Sequence, residues 1–333
     1  MSIRVISPGL LTTVQDLGRY GYQKYGVIVS GAMDSYSLRA ANILVGNKED
    51  EGALEITLMG PSLSIEKGTL FSITGGDLSP TINGEPVPMW RPVYLKENSV
   101  LKFGACKSGC RAYLAVAGGF NLPEVMGSKS TYQRAEIGGY KGRMLKKDDL
   151  LQFGYPSEEA SDIIKKLIEK SSSNSFAAAN WYLEGELIKK NFDYITVRVM
   201  QGREFDKFTL DSKNKFFNSE FSITAQSDRM GYRLSGTTLN LEKPLEMISE
   251  AVSLGTIQVP PDGNPIILLA DRQTTGGYPK IGQVASVDIS RIAQLKPGDK
   301  IMFKEISLGE AEELYIEREK YITSLKIGIN LRI

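Results

Sequence analysis

Histidine is missing altogether from the 333 residues. Its absence removes the side chain that most often serves as general base and metal ligand near neutral pH. Chemistry on this chain has to run on carboxylates, guanidiniums, amines, hydroxyls and backbone amides. Cysteine is nearly missing too, with only 2 residues, Cys106 and Cys110, in the stretch Cys-Lys-Ser-Gly-Cys. Without other soft ligands they cannot build a structural zinc site, and no metal site is expected. In a reducing compartment they are expected to be two thiols, with a regulatory disulfide as the alternative.

An excess of charge of either sign is also lacking. Forty basic residues stand against 39 acidic ones, a formal charge of +1. Nucleic acid and anionic membrane both favour a strongly basic face, so neither is expected as the main partner. No apolar run approaches the roughly 18 residues that span a bilayer. The opening Met-Ser-Ile-Arg-Val-Ile-Ser-Pro-Gly has no apolar stretch of the secretory kind, and a cytoplasmic location is expected. Nucleotide fingerprints are absent as well. Gly127-Ser128-Lys129-Ser130-Thr131 only superficially resembles a phosphate loop, since the earlier glycine and the adjoining Gly-Lys are not there, and no Rossmann glycine pattern follows a strand.

What the sequence does have is many short strand signals. Leu70-Phe71-Ser72-Ile73-Thr74, Ala112-Tyr113-Leu114-Ala115-Val116, Ile195-Thr196-Val197-Arg198-Val199 and Ile266-Ile267-Leu268-Leu269 are apolar or β-branched runs bounded by Gly, Pro, Asn or Asp, the length of strands rather than helices. Helical periodicity is confined to a few places. Residues 35–45 follow Asp34, an N-cap residue type, and stop at Gly46-Asn47. Residues 158–170 are amphipathic, with Ile163, Ile164, Leu167 and Ile168 expected on one side. Ser171-Ser172-Ser173-Asn174-Ser175 reads as a linker.

The length fits about two domains, and a weak internal repeat predicts that they are alike. Lys147-Asp148-Asp149-Leu150-Leu151-Gln152-Phe153 and Lys296-Pro297-Gly298-Asp299-Lys300-Ile301-Met302-Phe303 each read as a charged turn followed by a strand. The run ending in Gly75-Gly76-Asp77 parallels the one ending in Ala270-Asp271-Arg272. The expected organisation is a first β-barrel unit over 1–155, a linker with a helix over 156–193, a second β-barrel unit over 194–310 and an extension over 311–333. The fold class expected is mainly β with a few short helices.

Polar residues gather in a few stretches. Residues 271–282, Asp-Arg-Gln-Thr-Thr-Gly-Gly-Tyr-Pro-Lys-Ile-Gly, follow an apolar run and carry far more polar groups than a turn requires. Asp271 is a candidate base or amide-orienting group, and Tyr278 and Lys280 are candidates to stabilise developing negative charge. Thr274, Thr275, Gly276 and Gly277 are candidates for an anion-binding nest, flanked by Arg272 and Gln273. A second cluster, Gln226-Ser227-Asp228-Arg229-Met230-Gly231-Tyr232-Arg233, spaces two arginines four apart. They read either as a guanidinium fork for a carboxylate or phosphate or as ties holding a loop. A third cluster, near the N-terminus, contains Asp16 and Arg19.

These stretches also carry a resemblance. Pro8-Gly9-Leu10-Leu11-Thr12-Thr13-Val14-Gln15-Asp16-Leu17-Gly18-Arg19, Ser30-Gly31-Ala32-Met33-Asp34, the cluster from Gln226 to Leu234, and Gly255-Thr256-Ile257-Gln258-Val259-Pro260-Pro261-Asp262-Gly263 with residues 271–282 resemble the KipA / allophanate hydrolase subunit 2 family, in order and over nearly the whole chain. That family includes the C component of the bacterial ATP-dependent 5-oxoprolinase and is similar to a carboxyltransferase subdomain of urea carboxylase. The resemblance implies two tandem cyclophilin-like β-barrel units. It implies an enzyme subunit that opens the lactam of 5-oxo-L-proline to L-glutamate with ATP as co-substrate, acting with a KipI-like B component and an A component. For such a subunit the polar clusters give an expected catalytic set of Asp271, Arg229, Tyr278 and Lys280. The expected substrate-binding set is Asp228, Tyr232, Arg233, Arg272, Gln273, Thr274, Thr275, Gly276, Gly277, Asp16 and Arg19, with Arg229 or Arg233 on the substrate carboxylate. Two alternatives go with it: a KipA-type binding protein that antagonises a KipI-like kinase inhibitor, and a carboxyltransferase component that handles carboxybiotin and a urea-like amide. Biotin would need a separate carrier. Gln201-Gly202-Arg203-Glu204 departs from the Gly-Pro usual in the family, so one loop is expected to differ.

Overall fold

The computed structural model describes residues 1–169, 175–184 and 194–332; most of the serine-rich linker stretch lies outside them. Contacts divide the chain into two compact units. The first takes Met1–Arg19, Ser30–Leu187 and Tyr321–Ile333, and the second takes Tyr20–Val29 and Ile188–Lys320. The division is therefore not a single cut within 156–193, because residues 20–29 go with the later half and the last residues with the earlier one.

The first unit is built from two six-stranded sheets. Their facing sides share one core, which includes Ile3, Val5, Leu54, Ile56, Phe71, Ile73, Leu114 and Phe120. The strand Ser108–Val116 pairs antiparallel with Leu70–Asp77 and with Ala53–Thr57. From Ala112 onward it is apolar on both faces for a reason. Ala112, Leu114 and Val116 enter the inter-sheet core, whereas Tyr113, Ala115 and Ala117 pack with Leu38, Ala41, Val45, Ala160, Ile163 and Leu167. A strand covered on both sides reads as a continuous apolar run rather than an alternation.

The covering residues come from two helices. Ser35–Leu44 is capped by Asp34, whose side chain accepts from Ser37 N–H at 2.9 Å. Past the Val45 C-cap the chain turns through Gly46 at φ 70°, the left-handed ending that glycine favours. Glu158–Glu169 buries Ala160, Ile163 and Leu167. Ile168, expected on the same side, is 52% exposed.

The second unit closes into a seven-stranded barrel. Tyr194–Gln201 lies between Lys280–Val284, its antiparallel neighbour, and Lys300–Glu305, which runs parallel to it. Phe216 stacks on Phe303 with ring centroids 4.7 Å apart, and Phe221 is 5.5 Å from the same ring. The protein is thus mainly β, with few helices, as the strand signals and the resemblance implied. The longest helix, Leu308–Asn330, occupies most of the expected extension. Among the described residues no helix is long and apolar enough to cross a membrane.

The sequence repeat has a structural counterpart. Asp149 N–H donates to Lys146 O at 3.2 Å, and Lys146 N–H donates to the Asp149 carboxylate at 2.7 Å. In the second unit Asp299 N–H donates to Lys296 O at 3.0 Å, and Lys296 N–H to the Asp299 carboxylate at 2.9 Å. The third residue of each turn is left-handed, Asp148 at φ 69° and Gly298 at φ 91°. Each turn leads into a strand, Leu150–Gln152 or Lys300–Glu305.

The first of these turns makes a pH prediction. Burial works to raise the Asp149 pKa, but the Arg143 guanidinium, donating at 2.7 and 2.8 Å, and the Lys146 N–H outweigh it, so the net shift is downward. A depressed folded-state pKa gives stability that is complete above the unfolded value and is lost as pH falls through the folded one. Asp149→Asn is therefore expected to lower the urea midpoint at neutral pH and to flatten its fall on acidification below about pH 4. An acid limb as steep as that of the wild type would remove Asp149 from the explanation.

Candidate functional site

Most of the polar residues singled out in the sequence lie in the second unit, and strand register decides where each one points. Ile266–Leu268 pairs with Gly231–Ser235. The pairing continues beyond the strands, with Leu269 N–H donating to Met230 O at 3.0 Å and Asp271 N–H to Arg229 O at 2.9 Å. That register brings the Asp271 carboxylate to the Arg229 guanidinium, with Nε donating to Oδ2 at 2.8 Å and Nη2 to Oδ1 at 3.1 Å. The two side chains are 12% and 8% exposed. Arg229 and Asp271 thus form a bidentate internal pair. The fork expected of Arg229 and Arg233 does not form, because Arg233 is exposed on a strand while Arg229 is buried.

Two more members of that cluster have local duties. Asp228 Oδ1 accepts from Met230 N–H at 2.8 Å and Gly231 N–H at 3.3 Å, which shapes the turn leading into the strand in the way Asp commonly does. Tyr232 is buried and donates its hydroxyl to Leu295 O at 3.0 Å.

The expected anion nest at Thr274, Thr275, Gly276 and Gly277 is not formed. A nest needs successive residues of opposite hand, and neither Gly276 nor Gly277 is among the glycines of positive φ. Thr275–Gly276 instead pairs with Glu250–Ala251 as a small antiparallel ribbon, and Thr274 O accepts from Val252 N–H at 3.1 Å. Gly276 is there for close packing, since a Cβ would lie 2.5 Å from Gln258 Nε2. Gln273 is exposed, and Tyr278 is 45% exposed, its ring available at the surface.

Arg272 is different. Its Nη1 makes one long bond, 3.4 Å, to Leu269 O, and its buried Nε has no partner. Burial holds this guanidinium below the ordinary arginine value, opposed by the nearby Tyr20 phenol. Among the described residues no carboxylate pairs with it, and a desolvated cation of this kind invites an external anion.

Lys280 begins the strand Lys280–Val284 and lines a cavity of about 350 Å³ with Gln201, Gly202, Arg203, residues 251–253, Thr256, Gly282 and Gln283. Its ammonium donates to Glu250 Oε2 at 2.9 Å, and its N–H donates to Glu204 Oε2 at 3.0 Å. Sequence reasoning noted the loop 201–204 as a departure and missed that Gln201, Gly202 and Arg203 lie on the cavity wall. It also missed Ser253 and Gln283 on that wall, and Glu250, the partner of the Lys280 ammonium. Only Lys280 and the family motif around Thr256 and Gln258 pointed there.

Asp16 and Arg19 belong to the first unit. The Asp16 carboxylate accepts from Gly18 N–H and from the Ser128 hydroxyl, both at 2.8 Å, and from Lys129 N–H and the Ser130 hydroxyl. Arg19, 1% exposed, donates to Val125 O at 2.9 Å and Ser130 O at 2.8 Å. Both residues therefore hold the glycine-serine loop that superficially resembled a phosphate loop. Lys129 within that loop is engaged by Glu51 at 2.6 Å. Cys106 and Cys110 are free thiols.

Comparison with known proteins places this architecture. Residues 25–305 match the family model described as carboxyltransferase domain, subdomain A and B. The chain is 38% identical to the C component of 5-oxoprolinase from Haemophilus influenzae, over 94% of each chain. It is 36% identical to the C component of 5-oxoprolinase from Escherichia coli, over 97% of each. Among solved structures, the K. lactis urea amidolyase matches with a TM-score of 0.84 and 32% identity, covering 96% of this chain and 20% of that one. With this match spanning most of its length and a mainly β architecture in both units, the chain belongs to the carboxyltransferase subdomain A and B family.

Proposed function

We propose that this chain is one component of an ATP-dependent 5-oxoprolinase that opens 5-oxo-L-proline to L-glutamate together with a KipI-like B component and an A component. The observation that carries this reading is the nearly end-to-end likeness to two relatives named as the C component of 5-oxoprolinase. The chemistry agrees with a chain free of histidine. Transfer of a phosphoryl group from ATP to the lactam oxygen makes the ring carbon electrophilic. Water adds there, the C–N bond opens with a proton going to nitrogen, and a second water cleaves the acyl phosphate so formed, releasing phosphate and leaving the free carboxylate. Such a path rewards cations and N–H donors more than an imidazole base.

In this scheme Arg272 takes an anionic group of a substrate, since its own fold gives it no carboxylate, and Lys280 faces the cavity. Arg229 and Asp271 act through each other: the carboxylate holds the guanidinium and both fix the turn that carries Arg272. ATP is a co-substrate, and its site is left to the assembled complex.

The test is ATP-dependent glutamate release from 5-oxo-L-proline by this chain combined with the purified B and A components. Turnover undiminished when this chain is left out would sink the reading. Arg272→Gln is expected to reduce kcat/KM by about tenfold to a hundredfold, the worth of one or two hydrogen bonds to a charged group. An unchanged kcat/KM would remove Arg272 from the site. The likeness to urea amidolyase favours a second reading, a carboxyltransferase step that uses carboxybiotin delivered by a separate carrier. Activity abolished by avidin would select it.

A further inference from the structure

The cavity wall carries two cations that converge on one oxygen. Arg203 Nη1 and Lys280 Nζ each lie 2.9 Å from Glu250 Oε2. Lys280 is 12% exposed, so its ammonium is largely withdrawn from water, whereas Arg203 and Glu250 are 73% and 40% exposed. Glu204 is the other charged group nearby. One of its oxygens is 3.8 Å from Arg203 Nε, and the other accepts from the Lys280 backbone. With Glu250 in place the four charges cancel. With Glu250 withdrawn, one positive charge remains at the cavity.

Glu250 is held lightly. It sits on the two-residue strand Glu250–Ala251, and residues 244–249 before it have no regular structure and are mostly exposed. Because its side chain is already two-fifths exposed, exchanging it for another carboxylate costs less than displacing a buried one. The cationic partners are what keep its pKa low, Lys280 first and then Arg203.

The same cavity is also lined by Ser253, Thr256 and Gln283, which supply acceptors. Ser253 Oγ and Thr256 Oγ1 donate to Gln283 Oε1 at 2.9 and 3.0 Å and lie 3.1 Å from each other. Gln283 Nε2 donates to Leu254 O at 2.7 Å, which fixes the amide with its oxygen toward the hydroxyls. Each hydroxyl spends its single proton within this cluster and keeps a lone pair, so the wall offers acceptors to a ligand N–H. At about 350 Å³ the space is at the small end for ligand pockets.

We propose that this cavity is a carboxylate site occupied in the free protein by its own Glu250, and that its ligand is a small organic acid carrying an N–H donor. The ligand carboxylate replaces that of Glu250 on Arg203 and Lys280, and the N–H meets the Ser253–Thr256 hydroxyls. Identifying that acid as 5-oxoproline rests on the function proposed above; the site itself does not.

The experiment is titration of the full chain alone, by calorimetry, with 5-oxo-L-proline, 2-pyrrolidinone, cyclopentanecarboxylate and inorganic phosphate. Glu250→Gln removes the internal competitor while keeping its shape and is expected to tighten 5-oxo-L-proline about tenfold, as for a site freed from a state that occupied it nine-tenths of the time. Lys280→Met, with its fold checked by circular dichroism, is expected to weaken the acid at least tenfold. The neutral lactam should bind at least tenfold more weakly than the acid, and the acid lacking N–H should fall between them. Equal affinity of wild type and Glu250→Gln, binding of 2-pyrrolidinone as tight as that of the acid, or a preference for phosphate would each overturn the inference. Glutamate release by the three-component mixture reports separately on the function. Turnover without a Glu250 effect on binding defeats the site alone, and a Glu250 effect without turnover defeats the function alone.

Discussion

Asp271→Ala is expected to destabilise the second unit by about 3 to 5 kcal/mol, because it leaves the Arg229 guanidinium buried without its counter-ion. Arg229 and Asp271 are 8% and 12% exposed and share two hydrogen bonds at 2.8 and 3.1 Å. The gain from a buried pair over a well-packed apolar pair is small, whereas breaking it from one side is costly. Arg229→Met with Asp271→Leu should therefore recover much of the loss, and a urea-denaturation double-mutant cycle measures how much. Turnover measured beside stability separates two roles for Asp271. If the carboxylate worked chiefly as a base, Asp271→Ala would abolish turnover while leaving the unfolding free energy within about 0.5 kcal/mol of wild type, and the ion-pair account would fail.

The second large effect is expected in the first unit. Asp16→Ala removes the acceptor of four hydrogen bonds, from Gly18 and Lys129 N–H and the Ser128 and Ser130 hydroxyls. Asp16, Ser128 and Ser130 are all buried, so the abandoned donors cannot simply turn to water. A loss of about 3 to 5 kcal/mol is expected, at the upper end for single substitutions. Asp16→Asn should do nearly as badly, because its amide nitrogen would face donors where an oxygen stood. The accompanying sign is protease cleavage within residues 125–131, since Arg19 anchors the same loop at Val125 and Ser130. An Asp16→Ala protein of unchanged stability that fails only to bind substrate would return Asp16 to the list of binding residues.

Much of the fold was legible because it depends on patterns within a few residues. The runs at Ala112 to Val116 and Ile195 to Val199 fall within the strands Ser108–Val116 and Tyr194–Gln201. Asp34 caps the helix it was expected to cap. The paired turns at Lys146 and Lys296 have matching hydrogen bonds in both units. The assignment of residues 20–29 and 321–333 to units was not legible, since it depends on contacts far along the chain.

The candidate site was legible as a set of residue types and not as an arrangement. Asp271 and Arg229, 42 positions apart, looked like a base and a substrate clamp, and strand register joined them to each other. Gly276 and Gly277 suggested a nest, and pairing with Glu250–Ala251 extended them instead. Glu250 carried no motif at all, yet it lies against Lys280 from 30 residues away.

By itself, the sequence determined that the protein is β-rich, internally repeated and free of histidine, with its polar groups gathered around residues 226–233 and 271–282. Those properties follow from composition and short-range spacing, which act before any distant contact forms. Only the tertiary structure decided which charges are satisfied within the fold, Asp16, Arg19, Arg229 and Asp271, and which face a cavity or lack a carboxylate, Lys280 and Arg272. The reason is that an ion pair is set by the register of strands far apart in the chain, and a shift of one residue turns each side chain to the opposite face.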